Sequence, residues 1–381
     1  MTQTEYIEQA ERHFKKLLQE QLERAKRIEN QAKLTDFRSK EKITIGFCGG
    51  DGIGPIIMDA TKRMLMVLLK DEIASGKIAF KEIEGLTIEN RIAKGESVPS
   101  DVLNSIKECD VFLKGPTTTP DVNYKGKNIE SANVTLRREL DLFANVRPVK
   151  IPEKNIDWIF YRENTEGEYT LGSKGIEIGD TMAMDFKVTT EAGTKRIARA
   201  AFDYARNNGK KQVTIVTKAN ILKKTDGKFS RLCHEVAKDY PEINVDDRYI
   251  DIMCANLLDE NIRDSFEVFV LPNLYGDIIT DEAAQIQGGV GTAGSANIGS
   301  KYAMFEAIHG SAPRLIAEGL GEYASPASLM RAAEMMIRHI GFTEYANKLN
   351  NALDNAKTIV DGTKAHSTAT AFTDEIIELL K

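Results

Sequence analysis

Two aspartates, Asp277 and Asp281, stand four apart in Pro272-Asn-Leu-Tyr-Gly-Asp277-Ile-Ile-Thr-Asp281. The segment reads as the start of a helix, and that spacing puts both carboxylates on one face. Left alone they repel each other; around a cation they become the hard oxygen ligands that magnesium and manganese take. Acids at a helix start also serve simply to offset the helix dipole. Asp251, following the strand that ends at Ile250, is a third carboxylate for the site if the fold or a second subunit brings it near.

Arginines form the second group. Arg137 and Arg147 lie in Ser131-Ala-Asn133-Val-Thr-Leu-Arg137-Arg138-Glu-Leu-Asp-Leu-Phe-Ala-Asn-Val-Arg147-Pro148, and Arg162 in Tyr161-Arg-Glu-Asn-Thr-Glu-Gly-Glu-Tyr169. A substrate with several carboxylates needs permanently charged, planar donors from more than one direction, and arginine gives each carboxylate two parallel hydrogen bonds. Any one of them alone reads equally as half of a surface ion pair. Glycine marks two further segments. Gly49-Gly-Asp-Gly-Ile-Gly54-Pro55 is a tight strand-to-helix turn with proline in the first helical turn, and its spacing is not the GxGxxG of dinucleotide-binding domains. Gln287-Gly-Gly-Val290-Gly-Thr-Ala293-Gly-Ser-Ala-Asn-Ile298-Gly299, followed by Glu306-Ala-Ile-His309-Gly-Ser-Ala-Pro313, suggests backbone held against a ligand, because Val290, Ala293 and Ile298 do not suit an exposed linker.

These residues must be positioned by a fold of some size. At 381 residues the chain exceeds the roughly 250–300 at which a single core stops growing, so a large domain plus a second lobe is expected. From residue 43 strand-length apolar runs alternate with amphipathic helical patterns: Ile43–Cys48, a helix after Pro55, Ile78–Ile83, a helix after Pro99, Val111–Leu113. A middle lobe holds Trp158–Tyr161, a polar alternating stretch Ile176–Val188, a long helix near Glu191–Asn208 and the strand Val213–Val216. Beyond Leu271 the pattern turns mostly helical, with helices at Ala327–His339, Glu344–Ala356 and Ala371–Leu380. The class is α/β. Residues 1–40 place Ile7, Ala10, Phe14, Leu17, Ala25 and Ile28 on a helical stripe, an arm that docks on a partner subunit or a cover for its own domain.

Net charge of −6 gives no broad basic field, which argues against nucleic acid as a partner. Cys48, Cys109, Cys233 and Cys254 include no CxxC pair, so reduced thiols are expected. The charged N-terminus lacks the apolar stretch of a signal peptide and no segment has membrane-spanning length, so a cytoplasmic protein without a membrane partner is expected.

Read in order, seven blocks resemble the isocitrate/isopropylmalate dehydrogenase family from about Ile43 to the C-terminus. They are GDGIGP at Gly50–Pro55, KGPTTTP at Lys114–Pro120, the SxNxxxR and LRRELDLFANVRP run, RENTEGEY, VTKANILK around Lys218, NLYGDIITD, and GGVGTAGSANIG with HGSAP. The resemblance implies a non-Rossmann α/β fold with large and small domains around a central cleft. Residues 41–142 and 288–381 would form the large domain on the cofactor side. Residues 143–287 would form the small domain with a dimer-forming segment, and residues 1–40 an N-terminal helical extension. It also implies a homo-oligomer, at least a dimer, with shared active sites. Carried over by position, Ser131, Asn133, Arg137, Arg147 and Arg162 hold substrate carboxylates. Asp277, Asp281 and a neighbouring subunit's Asp251 bind Mg²⁺ or Mn²⁺, and Tyr169 with a partner's Lys218 forms the acid/base pair. Thr118, His309, Gly310, Ser311, Ala312, Pro313 and Arg314 meet the nicotinamide cofactor.

Family members that take isopropylmalate present apolar groups to its alkyl branch, whereas those that take isocitrate offer serine and asparagine to a third carboxylate. Ser131 and Asn133 therefore favour oxidative decarboxylation of isocitrate to 2-oxoglutarate, with homoisocitrate or isopropylmalate dehydrogenase and a non-catalytic regulatory subunit as alternatives. Arg314 and Leu315 stand where NAD-linked members carry an aspartate, yet Asp361-Gly-Thr-Lys-Ala-His-Ser-Thr lacks the Tyr and Arg of NADP-linked bacterial relatives. NAD is favoured, with NADP the alternative.

Overall fold

The computed structural model describes residues 2–29, 35–119, 129–172, 174–289 and 292–381, so Pro120 and Val290 lie outside the described residues. Helix α1 (Gln3–Glu29) precedes β1 (Ile43–Cys48), α2 (Gly54–Leu68), α3 (Lys70–Ala74), β2 (Ile78–Glu82) and α4 (Ile88–Lys94). Next come α5 (Ser100–Lys107), β3 (Val111–Lys114), α6 (Ala132–Glu139), β4 (Ala144–Ile151), β5 (Ile156–Glu163), β6 (Ile176–Ile178), β7 (Met182–Met184) and α7 (Glu191–Asn207). They lead to β8 (Gln212–Thr217), α8 (Thr225–Ala237), β9 (Asn244–Tyr249), α9 (Ile250–Leu258), β10 (Val268–Leu271) and α10 (Asn273–Ile286). The remainder is β11 (Gly294–Ile298), β12 (Ala303–Ala307), α11 (Pro313–Ala317), α12 (Ala327–His339), α13 (Thr343–Asn355) and α14 (Ala369–Leu379). Two compact units result: α1 with residues 150–283, and residues 35–149 with 284–381.

In the second of these units the strand order is β2-β1-β3-β12-β11-β4. The first four are parallel, while β11 runs antiparallel to both β12 and β4. β1 and β3 are almost wholly buried, which is why they read as unbroken apolar runs and not as alternating ones. Phe112, Leu136, Leu140, Leu142 and Met304 join one core cluster with Val102 and Ile106 of α5. Arg91 is fully buried in this unit. It spends its guanidinium on the carbonyls of Ser97, Thr118 and Glu130, at 2.7, 2.7 and 3.1 Å.

The expectation of a mostly helical chain beyond Leu271 fails at β11 and β12. β11 is built of Gly294-Ser-Ala-Asn-Ile298, which lacks the run of branched side chains that marks a strand. Its glycine is held against a helix: a Cβ at Gly294 would stand 2.3 Å from the backbone nitrogen of Ala332 in α12. Close packing of helix on strand explains the small residues.

The other unit carries β5-β10-β8-β9, all parallel. Its core is aromatic: Phe160 and Phe269 stack with centroids 4.3 Å apart, and Trp158 meets both edge-on. The stretch Ile176–Val188 forms the short antiparallel pair β6–β7, with β7 exposed on every residue, and a single bridge from Val188 to Gly167. Helix α1 packs on α7 of this unit, burying Leu17 and Ile28. Phe14 meets the Phe186 ring at 5.4 Å, although Phe14 and Ile7 remain about half exposed, so only part of the expected stripe is covered. Among the described residues no helix is long and apolar enough to cross a membrane, and the four cysteines are free thiols.

His339, half-buried between the rings of Phe37 and Phe305, has its pKa lowered by burial from 6.5 to about 4. The unfolded chain takes up that proton near pH 6.5 while the folded chain resists it until about pH 4. The neutral ring's contribution is thus complete above pH 6.5 and lost as pH falls towards 4. Urea denaturation at stepped pH should show stability falling across this window. His339→Phe should reduce that slope, and an unchanged slope would count against the assignment.

Candidate active site

Parallel strands deliver their following loops to one edge of a sheet, and every candidate chemical residue but Ser131, Asn133, Arg137 and Arg147 follows or ends such a strand. In the second unit β1, β3 and β12 end in step, with Cys48 beside Lys114 and Lys114 beside Glu306. The glycine turn after β1 lies against the loops after the other two strands. Asp51 N–H donates to the Pro116 carbonyl at 2.8 Å and Ile53 N–H to that of Ser311 at 3.0 Å. A Cβ at Gly50 would stand 2.3 Å from the Pro116 oxygen, and one at Gly52, where φ is +58°, 2.0 Å from that of Ser311. These glycines hold backbone against backbone, as the turn read in isolation implied.

Asp51 locks the arrangement by accepting the amides of Ile88 and Thr118, each at 2.7 Å. Two of the expected cofactor residues meet here, Thr118 Oγ1 and Ser311 Oγ lying 2.8 Å apart. Ala312 takes up left-handed backbone at φ +43°, and Pro313 opens α11. His309 Nδ1 bonds the Gly310 carbonyl at 3.0 Å. Its Nε2 is buried and has no hydrogen-bond partner among the described residues, and burial lowers its pKa. A neutral imidazole with an unused buried acceptor fits a polar cofactor group. Arg314 is 82% exposed and pairs with Glu318 at 3.3 Å.

Ser131 is the cap residue of α6 but makes no side-chain capping bond. Asn133 and Arg137 follow on one helical face. Thr117 Oγ1 donates to Asn133 Oδ1 at 3.4 Å, and Arg137 Nη2 reaches Glu306 at 3.5 Å. Arg147 is buried on β4. Sequence reasoning missed what holds these groups. Glu306 is fully buried; burial opposes its charge, yet Lys114 at 3.2 Å and Arg137 more than offset it and the carboxyl sits below its ordinary pKa. Lys114 opens one family-like block and Glu306 stands three residues before another, so a charge in an otherwise apolar strand was the available signal.

In the first unit, register places Arg162 at the end of β5 beside Leu271 at the end of β10. Arg162 is wholly buried. Its Nε and Nη2 donate to Asn273 Oδ1 at 2.9 and 2.7 Å, while Nη1 pairs with Asp277 Oδ1. Tyr169 Oη donates to the other oxygen of Asp277 at 2.8 Å, and the guanidinium lies 5.5 Å from its ring centroid. Gly276 is required here, because a Cβ would stand 2.5 Å from Arg162 Cγ. α10 starts at Asn273, which puts Asp277 and exposed Asp281 beyond its first turn. Offsetting the dipole, an effect of the first turn, does not account for them.

Parallel pairing of β8 with β9 sets Thr217 opposite Tyr249, so the next residues emerge together. Lys218 Nζ meets Asp251 Oδ1 at 2.5 Å, and this bond lowers the Asp251 pKa. Within one chain the three aspartates do not converge: no three His, Cys, Asp or Glu residues among those described are placed to hold a metal. Asp277 and Asp281 still offer hard oxygens on one helix face, which suits Mg²⁺ or Mn²⁺ with a further carboxylate supplied from elsewhere.

Comparison with known proteins bears on the family and the fold. Residues 44–380 match the family model described as isocitrate/isopropylmalate dehydrogenase. The chain is 41% identical over 332 residues to the NADP isocitrate dehydrogenase of Rickettsia prowazekii, covering 84% of this chain but only 63% of that longer protein. It is 36% identical over 367 residues to the mitochondrial NAD isocitrate dehydrogenase subunit alpha of Bos taurus, covering 91% of this chain and 95% of that one. The crystal structure of isocitrate dehydrogenase from Methylococcus capsulatus superposes with a TM-score of 0.77 at 34% identity, covering 89% of this chain and 99% of the other. The chain belongs to the isocitrate/isopropylmalate dehydrogenase family.

Proposed function

We propose that this protein oxidatively decarboxylates isocitrate to 2-oxoglutarate, passing a hydride to NAD in a metal-dependent reaction. The observation that carries the reading is the Asp277 carboxylate joining Arg162 and Tyr169. A carboxylate-binding guanidinium, a phenolic proton donor and a candidate metal ligand meet at one point.

Arg137, Arg147 and Arg162 hold substrate carboxylates, and Ser131 and Asn133 serve the third one that an isopropyl group would lack. Hydroxyl and amide groups left unpaired by an alkyl branch discriminate strongly. The partner subunit's Lys218 takes the hydroxyl proton as the C2 hydride leaves. The nicotinamide, held by Thr118 and His309 to Arg314, supplies the hydride acceptor. Asp277 and Asp281, with the partner subunit's Asp251, would hold a divalent ion, which would supply Lewis acidity for the charge that builds on the substrate oxygen. When the C3–carboxylate bond breaks and CO₂ departs, its electron pair enters the enolate, and Tyr169 Oη delivers a proton to C3.

A homodimer or higher homo-oligomer with shared sites is supported by exposed apolar side chains on the helices that carry the acids: Ile252 and Leu258 on α9 and Ile278 on α10. NAD is preferred over NADP because Arg314, the residue considered for a 2′-phosphate, is exposed and already paired with Glu318.

Steady-state rates with isocitrate, homoisocitrate and isopropylmalate, each with NAD and NADP, should show isocitrate with NAD fastest; preference for isopropylmalate would overturn the assignment. Tyr169→Phe should slow enolate protonation by about 100-fold or more and leave hydride transfer far less affected. Solvent deuterium exchange at C3 of 2-oxoglutarate reports the first step and reduction of supplied oxalosuccinate the second; equal losses would speak against the role. Asp281→Asn should weaken Mn²⁺ activation at least tenfold or so, and an unaltered titration would remove that residue from the metal site.

A further inference from the structure

Helix α1 precedes residue 44, where the family match begins, so the reading above gives it no role. It nevertheless reaches the segment between Arg162 and Tyr169. Arg24 Nη1 donates to Glu166 Oε1 at 3.1 Å and Nη2 to Thr165 Oγ1 at 3.0 Å. The two charged side chains are only 16% and 4% exposed, so this is a pair inside the unit and not on its rim. Glu166 also accepts the Thr190 amide at 2.8 Å and the Thr190 hydroxyl, at the cap of α7. Gly193 is what lets the carboxylate in, since a Cβ there would stand 2.3 Å from Oε1.

From Glu166 a path of hydrogen bonds leads to the chemistry. Its backbone carbonyl accepts Asn273 Nδ2 at 3.0 Å. Asn273 Oδ1 accepts two Arg162 donors, Arg162 pairs with Asp277, and Asp277 accepts the Tyr169 hydroxyl. The loop is tied to itself as well: Glu163 accepts the Thr165 and Glu166 amides, and Thr170 Oγ1 donates to the Thr165 carbonyl. Beyond Tyr169, α1 takes hold again. A ring nitrogen of His13 lies 2.8 Å from the Lys174 carbonyl, and Glu20 meets Lys174 Nζ at 3.1 Å. One helix thus grips the segment on both sides of the tyrosine.

We propose that α1 positions Tyr169 for proton delivery, with Arg24 as the positioning residue that sets the Thr165–Glu166 corner. The proposal rests on the reading of Tyr169 as the acid that protonates the enolate. Arg24 spends its guanidinium on Thr165 and Glu166; it acts by fixing the backbone from which Asn273, and through it the Arg162–Asp277–Tyr169 group, takes its place. A misplacement of the order of an ångström at a reacting group lowers a rate steeply.

The test uses the full-length metal-loaded enzyme and Arg24→Met, which keeps the aliphatic stem and removes the guanidinium. Deuterium exchange at C3 of 2-oxoglutarate should fall about tenfold, with hydride transfer and the KM for isocitrate each within about threefold. Arg24→Lys should recover part of the exchange rate. Arg12→Gln, on an exposed face of the same helix, should match the wild type. If Tyr169→Phe impairs exchange but folded Arg24→Met does not, the positioning role is overturned and the functional reading stands. Equal loss in both steps would also overturn it, as that marks general loosening. Normal exchange in Tyr169→Phe would sink the functional reading and this inference with it. Should Arg24→Met fail to fold, Arg24→Gln carries the same comparison; failure of all three replacements to fold would make Arg24 a stability residue and refute the proposal.

Discussion

One carboxylate, that of Asp277, satisfies a buried guanidinium with one oxygen and a phenol with the other. An arginine with no exposed surface is costly unless its charge and its donors are all met. Arg162 meets that demand with Asp277 and with Asn273, both on α10. The end of β5, the start of α10 and the loop carrying Tyr169 are therefore parts of one electrostatic solution. Glycine at 276 and the β5–β10 register follow from it, since neither a bulkier residue nor a shifted strand would leave the fork in reach.

The other unit solves a similar problem around Glu306. Lys114 and Arg137 converge on its carboxylate, and Asn297 adds a donor at 2.8 Å. These groups come from β3, α6, β11 and β12, so the polar cluster ties together elements that the apolar core alone would let slide. Replacing such a cluster with hydrocarbon can be neutral for stability, but removing one member strands the others.

Much of this was readable from residue order. Strands such as Ile43–Cys48 declared themselves because both faces are buried, and the blocks bearing Tyr169, Asp277 and His309 kept their chemistry in short windows. β11 was hidden by its small residues, whose reason is the approach of α12 and therefore lies outside the local sequence. Arg91 gave no signal, because its partners are three carbonyls and any residue supplies those. The split of carboxylates between Asp251 with Lys218 and Asp277 with Asp281 was likewise a matter of strand register, which spacing along the chain does not encode. α1 could be seen as a helix, but which surface it covers depends on Leu17, Ile28 and Arg24 finding partners far along the chain.

That last feature separates ancestry from mechanics. The match to the family model opens at residue 44, yet the loop bearing the tyrosine is braced by a helix that comes earlier. A motif can thus be common to a whole family while the brace that holds it stiff belongs to a segment outside the family's shared model, so the same catalytic window can rest on different supports.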